Sequence, residues 1–252
     1  MSYSNIVIVG AGGTASFVAP VVAKLLAFRK PGECTLTIID EDEIEDKNLA
    51  RSYSEDDVGM NKAELLAEIC VDRVPSGSLD VKAIPAYVLP SNFDRYHEAW
   101  CKDGVVVLAC VDNNVSRCFI EEQISKLDNA VLITPGNDVI DGQVHTYIRR
   151  NGEDVSPKIS EICPSMAVDN SPNNIFPDDE NCTDKYEEEP QLILANMTAG
   201  VLALNSLWRH VINDDTNDSE VYNEVYFNVN NCAARPFERQ PLTLIEETPA
   251  TL

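Results

Sequence analysis

The sequence is short of positive charge. Its 252 residues include 19 Lys and Arg against 42 Asp and Glu, which gives a formal net charge of −23. A chain with this charge does not attract a phosphate backbone electrostatically, so we predict that nucleic acid is not a partner. The excess of acid favours a soluble surface, and the alternative is attraction of a basic partner.

Long apolar runs and paired cysteines are also missing. No run approaches the roughly 20 apolar residues that span a bilayer, and no signal-peptide pattern is visible, so we predict no membrane association. The eight cysteines are scattered, several of them in apolar stretches, and none forms a C-x-x-C pair. This usage indicates reduced thiols and gives little support to a structural zinc site. These absences predict a cytoplasmic protein.

The most informative stretch lies near the N-terminus. A short apolar, β-branched run at residues 5–9 is followed at once by the sequence GAGGTA at residues 10–15. A strand that ends in a G-x-G-x-x-G/A turn and opens into a helix is typical of a nucleotide-binding site. Gly10 permits the tight turn, Gly12 lets the backbone approach a phosphate, and the helix start offers free amides. Alone, the motif also fits an ordinary turn between a strand and a helix.

Apolar runs and helical patterns alternate after this turn. The patterns predict strands at 34–40, 80–84, 105–111, 130–134, 142–149 and 221–229, and helices at 15–28, 61–74, 115–127 and 191–212. Alternation of this kind predicts a Rossmann-like, doubly wound α/β fold with a mostly parallel sheet and antiparallel strands in the C-terminal part. Segment 41–62 is too polar and irregular for a helix, and the tail after Pro236 is expected to be loosely ordered.

Three parts of one domain are expected from the same patterns. They are a nucleotide-binding core over 1–150, an acidic crossover loop over 151–190, and a C-terminal helix and strand over 191–252 that complete the domain. The loop has no periodicity, and a structureless span of this length is usually functional or disordered.

Acidic residues follow two of the predicted strands. Asp40 ends the second strand, where a carboxylate can accept hydrogen bonds from a ribose hydroxyl pair. Asp112 follows the wholly apolar run 105–111, which is expected at the centre of the sheet, and ligands bind at the carboxyl ends of such strands. Asn113 and Arg117 come next and either contact a ligand or cap and brace the following helix.

Four motifs then occur in order along the chain. They are Gly10-Ala11-Gly12-Gly13, Asp40-x-Asp42-x-Ile44-x-x-x-Asn48-Leu49-x-Arg51, Gly59-x-x-Lys62-Ala63 and Asp112-Asn113-x-x-x-Arg117. Over roughly residues 4–150 this set resembles the ThiF/MoeB/HesA superfamily of adenylyltransferases that activate ubiquitin-like proteins. The later stretch Leu194-Ala195-Asn196-Met197 resembles the closing helix of that family. The first helix, with its proline, is most similar to the compact members found on phages and plasmids.

The resemblance implies an activity and a set of site residues. A carboxylate, such as the C-terminus of a ubiquitin-like or sulfur-carrier protein, would be joined to the α-phosphate of ATP with release of pyrophosphate. The implied catalytic residues are Asn48, Arg51, Lys62 and Asp112, with Asp112 also holding Mg²⁺. The implied nucleotide-binding residues are Gly10, Gly12, Gly13, Asp40, Asp42, Asn113 and Arg117.

Some features of the family are matched only in part. In some members the crossover loop carries a thioester-forming cysteine, for which Cys163 and Cys182 are the candidates here; acids around Cys182 would disfavour its thiolate. Relatives usually place a helix with an arginine before the first strand to serve a dimer partner. Here the first strand begins near residue 5, so this arginine is absent or comes from elsewhere. The sequence therefore supports the expected homodimer only in part.

Two other functions stay open at this point. The first is a nucleotide-binding scaffold that has lost catalysis. The second is an NAD-dependent oxidoreductase, in which the glycine turn and Asp40 would look the same. Nothing in the sequence resembles a hydride-transfer acid or base, and segment 41–62 would then be unexplained. The three histidines are expected to be structural.

Overall fold

One sheet with helices on both faces organises the protein in a computed structural model that describes residues 3–29, 31–50, 52–167, 174–176, 192–213 and 222–240. The strands are β1 (Asn5–Val9), β2 (Thr35–Ile39), β3 (Asp80–Ile84), β4 (Val105–Ala109), β5 (Ala130–Asn137), β6 (Asp141–Arg150), β7 (Glu153–Asp154), β8 (Glu224–Asn228) and β9 (Ala233–Phe237). The helices are α1 (Gly13–Arg29), α2 (Lys62–Asp72), α3 (Phe93–Trp100), α4 (Asn114–Ile124), α5 (Ile159–Ile162), α6 (Pro164–Ala167) and α7 (Ile193–Leu207).

The strand order is β3-β2-β1-β4-β5-β6-β8-β9, with β7 paired to β6 outside this path. Strands β1 to β5 are parallel, whereas β6, β8 and β9 join by antiparallel pairing. This confirms the predicted Rossmann-like fold with antiparallel strands in the C-terminal part. The direction of winding reverses between β1 and β4, and such a switch point is where open α/β sheets bind ligands.

Two apolar layers hold the helices to the sheet. Helices α1, α2 and α7 cover one face, on which Ile8 and Val106 lie, while α3 and α4 cover the other face with Val7 and Val107. Every residue of β1 and β4 is buried. Because both faces of these strands are covered, their sequences are continuous apolar runs without alternation.

The structure differs from the sequence expectations in two places, while α1 forms as predicted. Helix α1 continues through Pro20, which is buried. A 3₁₀ turn, Pro90–Asn92, and α3 lie between β3 and β4, where the sequence patterns predicted no helix. Strand β9 was not predicted; its Ala-Ala-Arg-Pro-Phe sequence has low β-propensity, and it forms by pairing along β8.

The polar segment after β2 is irregular, as expected. Segment 41–62 contains two single 3₁₀ turns, Asp46–Asn48 and Glu55–Asp57, and no longer helix. The crossover loop differs from the structureless span expected over 151–190, because β7, α5 and α6 form at its start. Its acidic end, residues 177–190, lies outside the described residues. None of the helices in the described ranges is both long and apolar enough to cross a membrane.

Candidate nucleotide site

The glycine turn lies at the switch point between β1 and β4. Gly10 has a φ of +86°, and a Cβ atom there would lie 2.8 Å from the carbonyl oxygen of Cys110. Only glycine fits this contact, because the backbone conformation and the neighbouring strand both exclude a side chain. The glycine turn therefore packs directly against Cys110, two residues before Asp112.

Open space faces the second glycine of the turn. A Cβ atom on Gly12 would meet no atom within 4 Å, so the position leaves room for a group that approaches the backbone. Helix α1 begins at Gly13 and has no acidic residue in its first turn. The helix itself therefore places no carboxylate at the positive end of its dipole, and the arrangement fits a bound phosphate.

Two buried side chains fix the orientation of the Ala11 peptide in this turn. The amide of Ala11 donates to Oδ2 of Asp40 at 2.6 Å, and the hydroxyl of Tyr53 donates to the carbonyl oxygen of Ala11. The other oxygen of Asp40 accepts the amide of Asp42 at 2.8 Å. Burial raises the pKa of Asp40, while the hydrogen bond from Ala11 opposes the rise. Asp40, the predicted ribose ligand, therefore also shapes the turn.

Lys62 and Asp42, two of the predicted site residues, are paired with each other. Lys62 Nζ lies 2.7 Å from Oδ2 of Asp42, and the lysine is 7% exposed. The hydroxyl of Tyr87 donates to the other Asp42 oxygen. Burial favours a higher pKa for Asp42, but the hydrogen bonds from Lys62 and Tyr87 outweigh it and lower the pKa. The pair fixes the lysine at the start of α2.

Asn61 joins the loop after β2 to α2. Its side-chain oxygen accepts the amides of Ala63 and Glu64, each at 3.0 Å, and so caps the helix. Its NH₂ group donates to the three carbonyl oxygens of residues 40–42 at 3.1–3.2 Å. One side chain thereby sets the position of Asp42 relative to Lys62.

Asn48 and Arg51, the other two residues expected near the phosphates, are less defined. Asn48 is buried, and its side-chain oxygen accepts the amide of Glu45 at 2.9 Å, which caps a 3₁₀ turn. Arg51 lies outside the described residues. Their predicted contacts with a nucleotide stay predictions.

Asp112 is exposed at the carboxyl end of β4. The next residue, Asn113, accepts the amide of Ser116 at 2.8 Å and caps α4. An exposed carboxylate on a fixed strand end is the kind of oxygen ligand that Mg²⁺ takes. The bond of Asn113 agrees with the capping alternative, and its contact with a ligand stays a prediction.

Arg117 braces the same edge of the sheet from inside. Its guanidinium donates to the carbonyl oxygens of Val111 at 2.8 Å and Pro135 at 3.2 Å. Burial lowers the pKa of this arginine, partly offset by the charge of Asp112. The side chain therefore connects the ends of β4 and β5, and a direct contact with nucleotide stays a prediction.

Cys163, a predicted thiol candidate, lies between α5 and α6. Its Sγ is 3.7 Å from Nε2 of His145, and this nitrogen is 2.8 Å from Oε1 of Glu224. The second candidate, Cys182, lies outside the described residues.

Sequence reasoning missed Tyr53, Asn61 and Tyr87. Asn61 carried a usable signal, since an asparagine directly before a helical pattern is a common cap. The two tyrosines carried none, because Tyr53 acts on a residue 42 positions away and Tyr87 on one 45 positions away.

Comparison with known proteins places this geometry in a family. Among proteins with curated functions, no sequence matches the chain. Similar solved structures include PaaA, with a TM-score of 0.62 and 18% identity over 93% of this chain and 64% of that chain. Escherichia coli MccB with ATP has a TM-score of 0.66 and 17% identity over 96% of this chain and 66% of that chain. MccB with MccA-N7isoASN has a TM-score of 0.67 and 16% identity, with the same coverage of 96% and 66%.

These identities show a shared fold, and the chain spans 64–66% of the length of those structures. The family evidence is independent of them. A model described as "ThiF family" matches residues 1–240, which is nearly the whole chain. The chain therefore belongs to the ThiF family.

Proposed function

We propose that the protein is an ATP-dependent adenylyltransferase that activates a carboxylate. The observation that carries this proposal is the ThiF match over residues 1–240. The glycine turn, the Asp42–Lys62 pair and Asp112 lie at the carboxyl ends of β1, β2 and β4, which supports a nucleotide site there. The MccB structures with ATP and with MccA support a nucleotide and a peptide as the two reactants.

The proposed reaction joins two substrates and releases pyrophosphate. A carboxylate oxygen forms a bond to the α-phosphorus of ATP, and the bond from that phosphorus to the bridging oxygen of the β-phosphate breaks. Catalysis of this kind is mostly positioning and stabilisation of charge. We assign the phosphates to Gly12, Gly13 and Lys62, the ribose to Asp40, and the predicted contacts of Asn48 and Arg51 to the same nucleotide.

The residues present fit a magnesium ion. Among the described residues at this edge of the sheet, the carboxylates of Asp40, Asp42 and Asp112 outnumber the cations Lys62 and Arg117, and a triphosphate would add further negative charge. Mg²⁺ bound at Asp112 would neutralise phosphate charge as it develops. The chain's own residues then orient the nucleotide, and binding without the metal is expected to be weak.

The substrate and the assembly belong to the same proposal. We propose the C-terminal tail of a small ubiquitin-like or sulfur-carrier protein as the carboxylate, a homodimer as the assembly, and the cytoplasm as the location. The exposed apolar residues of α7, described below, support the dimer.

A thermal-shift titration tests the proposal. We would compare Mg²⁺-ATP, ATP with a chelator, and NAD on the wild type, on Asp112→Asn, and on Asp128→Asn as a control at the opposite end of the strands. Ligand at 100 times its Kd stabilises by about 2.7 kcal/mol, which is roughly 5–10 °C for a domain of this size. We expect that shift with Mg²⁺-ATP on the wild type and the control, and a much smaller one on Asp112→Asn.

Other results would point elsewhere. A shift with NAD alone would overturn the proposal in favour of an oxidoreductase. No shift with any nucleotide would also overturn it. Mg²⁺-ATP binding without pyrophosphate release on any peptide that carries a free C-terminus would favour the inactive scaffold.

A further inference from the structure

Three side chains of types that can bind metals converge on the face of the sheet opposite α1. His145 lies on β6 and Glu224 on β8, and the two residues are direct partners across the strands. Cys163 comes from the turn between α5 and α6, which covers them. These three residues, the Cys163–His145–Glu224 cluster, take no part in the proposed adenylation.

The donor atoms of the cluster surround one point. Sγ of Cys163 is 3.7 Å from Nε2 of His145, and Oε1 of Glu224 is 2.8 Å from the same nitrogen. All three atoms lie within 4.8 Å of one another. Zinc bonds of about 2.0–2.3 Å place tetrahedral ligands roughly 3.3–3.6 Å apart, so small side-chain rotations suffice to admit the ion.

Two groups of the cluster compete for one nitrogen of a buried histidine. His145 and Glu224 are each 2% exposed. Nε2 of the histidine has at most one proton, and both the carboxylate oxygen and the sulfur face that nitrogen. A cation at the shared point would satisfy all three groups at once. Arg239 donates to the other oxygen of Glu224 and so holds Oε1 toward the histidine, as outer-shell partners of metal ligands do.

The arrangement does not fit a catalytic triad, in which an acid orients a histidine and the histidine activates a thiol. In such a site the base contacts the thiol through one ring nitrogen and is oriented by an acid at the other. Here Cys163 and Glu224 both face Nε2 of His145. Convergence on one nitrogen is the geometry of shared coordination.

We propose that the Cys163–His145–Glu224 cluster binds Zn²⁺. A thiolate, an imidazole and a carboxylate suit this borderline-soft ion and do not suit Mg²⁺. The described residues supply three ligands, which leaves a fourth position for water. The ion would link the start of the crossover loop to β6 and β8.

Metal titration of the full chain tests this proposal. After treatment with a chelator, Co²⁺ is added to the wild type as a spectroscopic probe, and Zn²⁺ is then added to displace it. We expect one equivalent of Co²⁺ per chain, with a thiolate-to-cobalt charge-transfer band that Zn²⁺ abolishes. Zn²⁺ should also protect Cys163 of the wild type from alkylation, as measured by mass spectrometry.

Matched variants assign the ligands. Cys163→Ser should remove the charge-transfer band, and both it and Glu224→Gln should weaken Zn²⁺ binding by about 100-fold or more. Cys118→Ser, at another half-buried thiol, should leave the band and the affinity unchanged. Asp112→Asn should also keep the metal, which separates this proposal from the proposed ATP site.

The wild-type experiments do not depend on whether a variant folds. Absence of a thiolate–cobalt band, or alkylation of Cys163 at the same rate with and without Zn²⁺, would overturn the proposal. Equal loss of binding in Cys118→Ser and Cys163→Ser would do the same.

Discussion

At the scale of single residues, the Ala11 peptide shows how the glycine turn is held. Its amide and its carbonyl oxygen are both bound, by Asp40 and by Tyr53. A turn fixed from both sides presents its remaining amides in one orientation before a ligand arrives. Preorganisation of this kind lowers the cost of binding.

Tyr53→Phe tests this clamp. Removal of the hydroxyl leaves the buried carbonyl of Ala11 without its donor, so we expect a loss of about 1–2 kcal/mol in the free energy of unfolding. We also expect Mg²⁺-ATP to bind several-fold more weakly. Urea denaturation and calorimetric titration measure the two effects, with Tyr96→Phe on the opposite face of the sheet as the control. Unchanged affinity in Tyr53→Phe would show that the clamp serves stability alone.

The Asp42–Lys62 pair predicts a dependence of stability on pH. The pKa of Asp42 is lowered from 3.8, so its contribution is complete above that value and is lost as the pH falls through the lower, folded-state pKa. We therefore expect the wild type to be more stable than Asp42→Asn at about pH 6, with the difference shrinking as the pH approaches about 3. Chemical denaturation at a series of pH values measures this. A difference that stays constant over the range would contradict the assignment.

At the scale of elements, the π-helical turn Trp208–Ile212, which follows α7 directly, carries a buried histidine. His210 packs its ring 5.2 Å from the ring of Tyr222. Burial lowers its pKa from 6.5 to about 4, and the charges of Arg209 and Arg150 act in the same direction. The folded protein therefore keeps this imidazole neutral where the unfolded chain would protonate it.

A loss of stability in mild acid follows from His210. The contribution of neutral His210 to the free energy of unfolding is complete above pH 6.5. It declines as the pH falls toward the folded-state pKa of about 4, by up to about 3 kcal/mol. His210→Gln should flatten this decline, since the variant has no group to protonate there. Melting temperatures between pH 7 and pH 4.5 measure the effect, and His97→Gln, which keeps His210, is the control. Equal slopes in wild type and His210→Gln would refute the assignment.

Elements were predicted well where the sequence pattern itself records burial. The apolar runs of β1 and β4 specified the centre of the sheet because both of their faces are covered. Strand β9 could not be predicted in this way, since its stability comes from its partner β8. The site residues divide in the same way into those that local sequence predicts and those that depend on the tertiary fold. Gly10 and Asp112 were placed by their positions at strand ends, while the bond from Tyr53 to Ala11 depends on the tertiary fold.

At the scale of the whole molecule, an exposed apolar face of α7 favours association of two copies, whereas the net negative charge opposes it. Leu194, Met197 and Val201 lie on one side of α7 and are 53%, 40% and 55% exposed. Burial of this side against a second copy would remove apolar surface from water. Each copy has a net charge of −23, so repulsion would weaken the contact at low salt.

The proposed homodimer should therefore strengthen with salt. We expect sedimentation velocity to show a larger dimer fraction at about 500 mM than at about 50 mM NaCl. Val201→Glu should reduce that fraction, whereas Val71→Glu, at a similarly exposed residue of α2, should not. A monomer under every condition, or equal effects of the two variants, would exclude α7 as the interface.

The pairing of β6 with β8 also determines how the protein can be synthesised. Strands β6 and β8 are neighbours in the sheet but are separated along the chain by the crossover loop and α7. Helix α7 packs on β5 and β6. A nascent chain that has reached Arg150 therefore presents an unpaired strand edge and an uncovered apolar face, both of which attract other chains. Translation that stops before Glu224 would release a product prone to aggregate, and we expect residues 1–150 to reach their final packing only once the C-terminal part has been made.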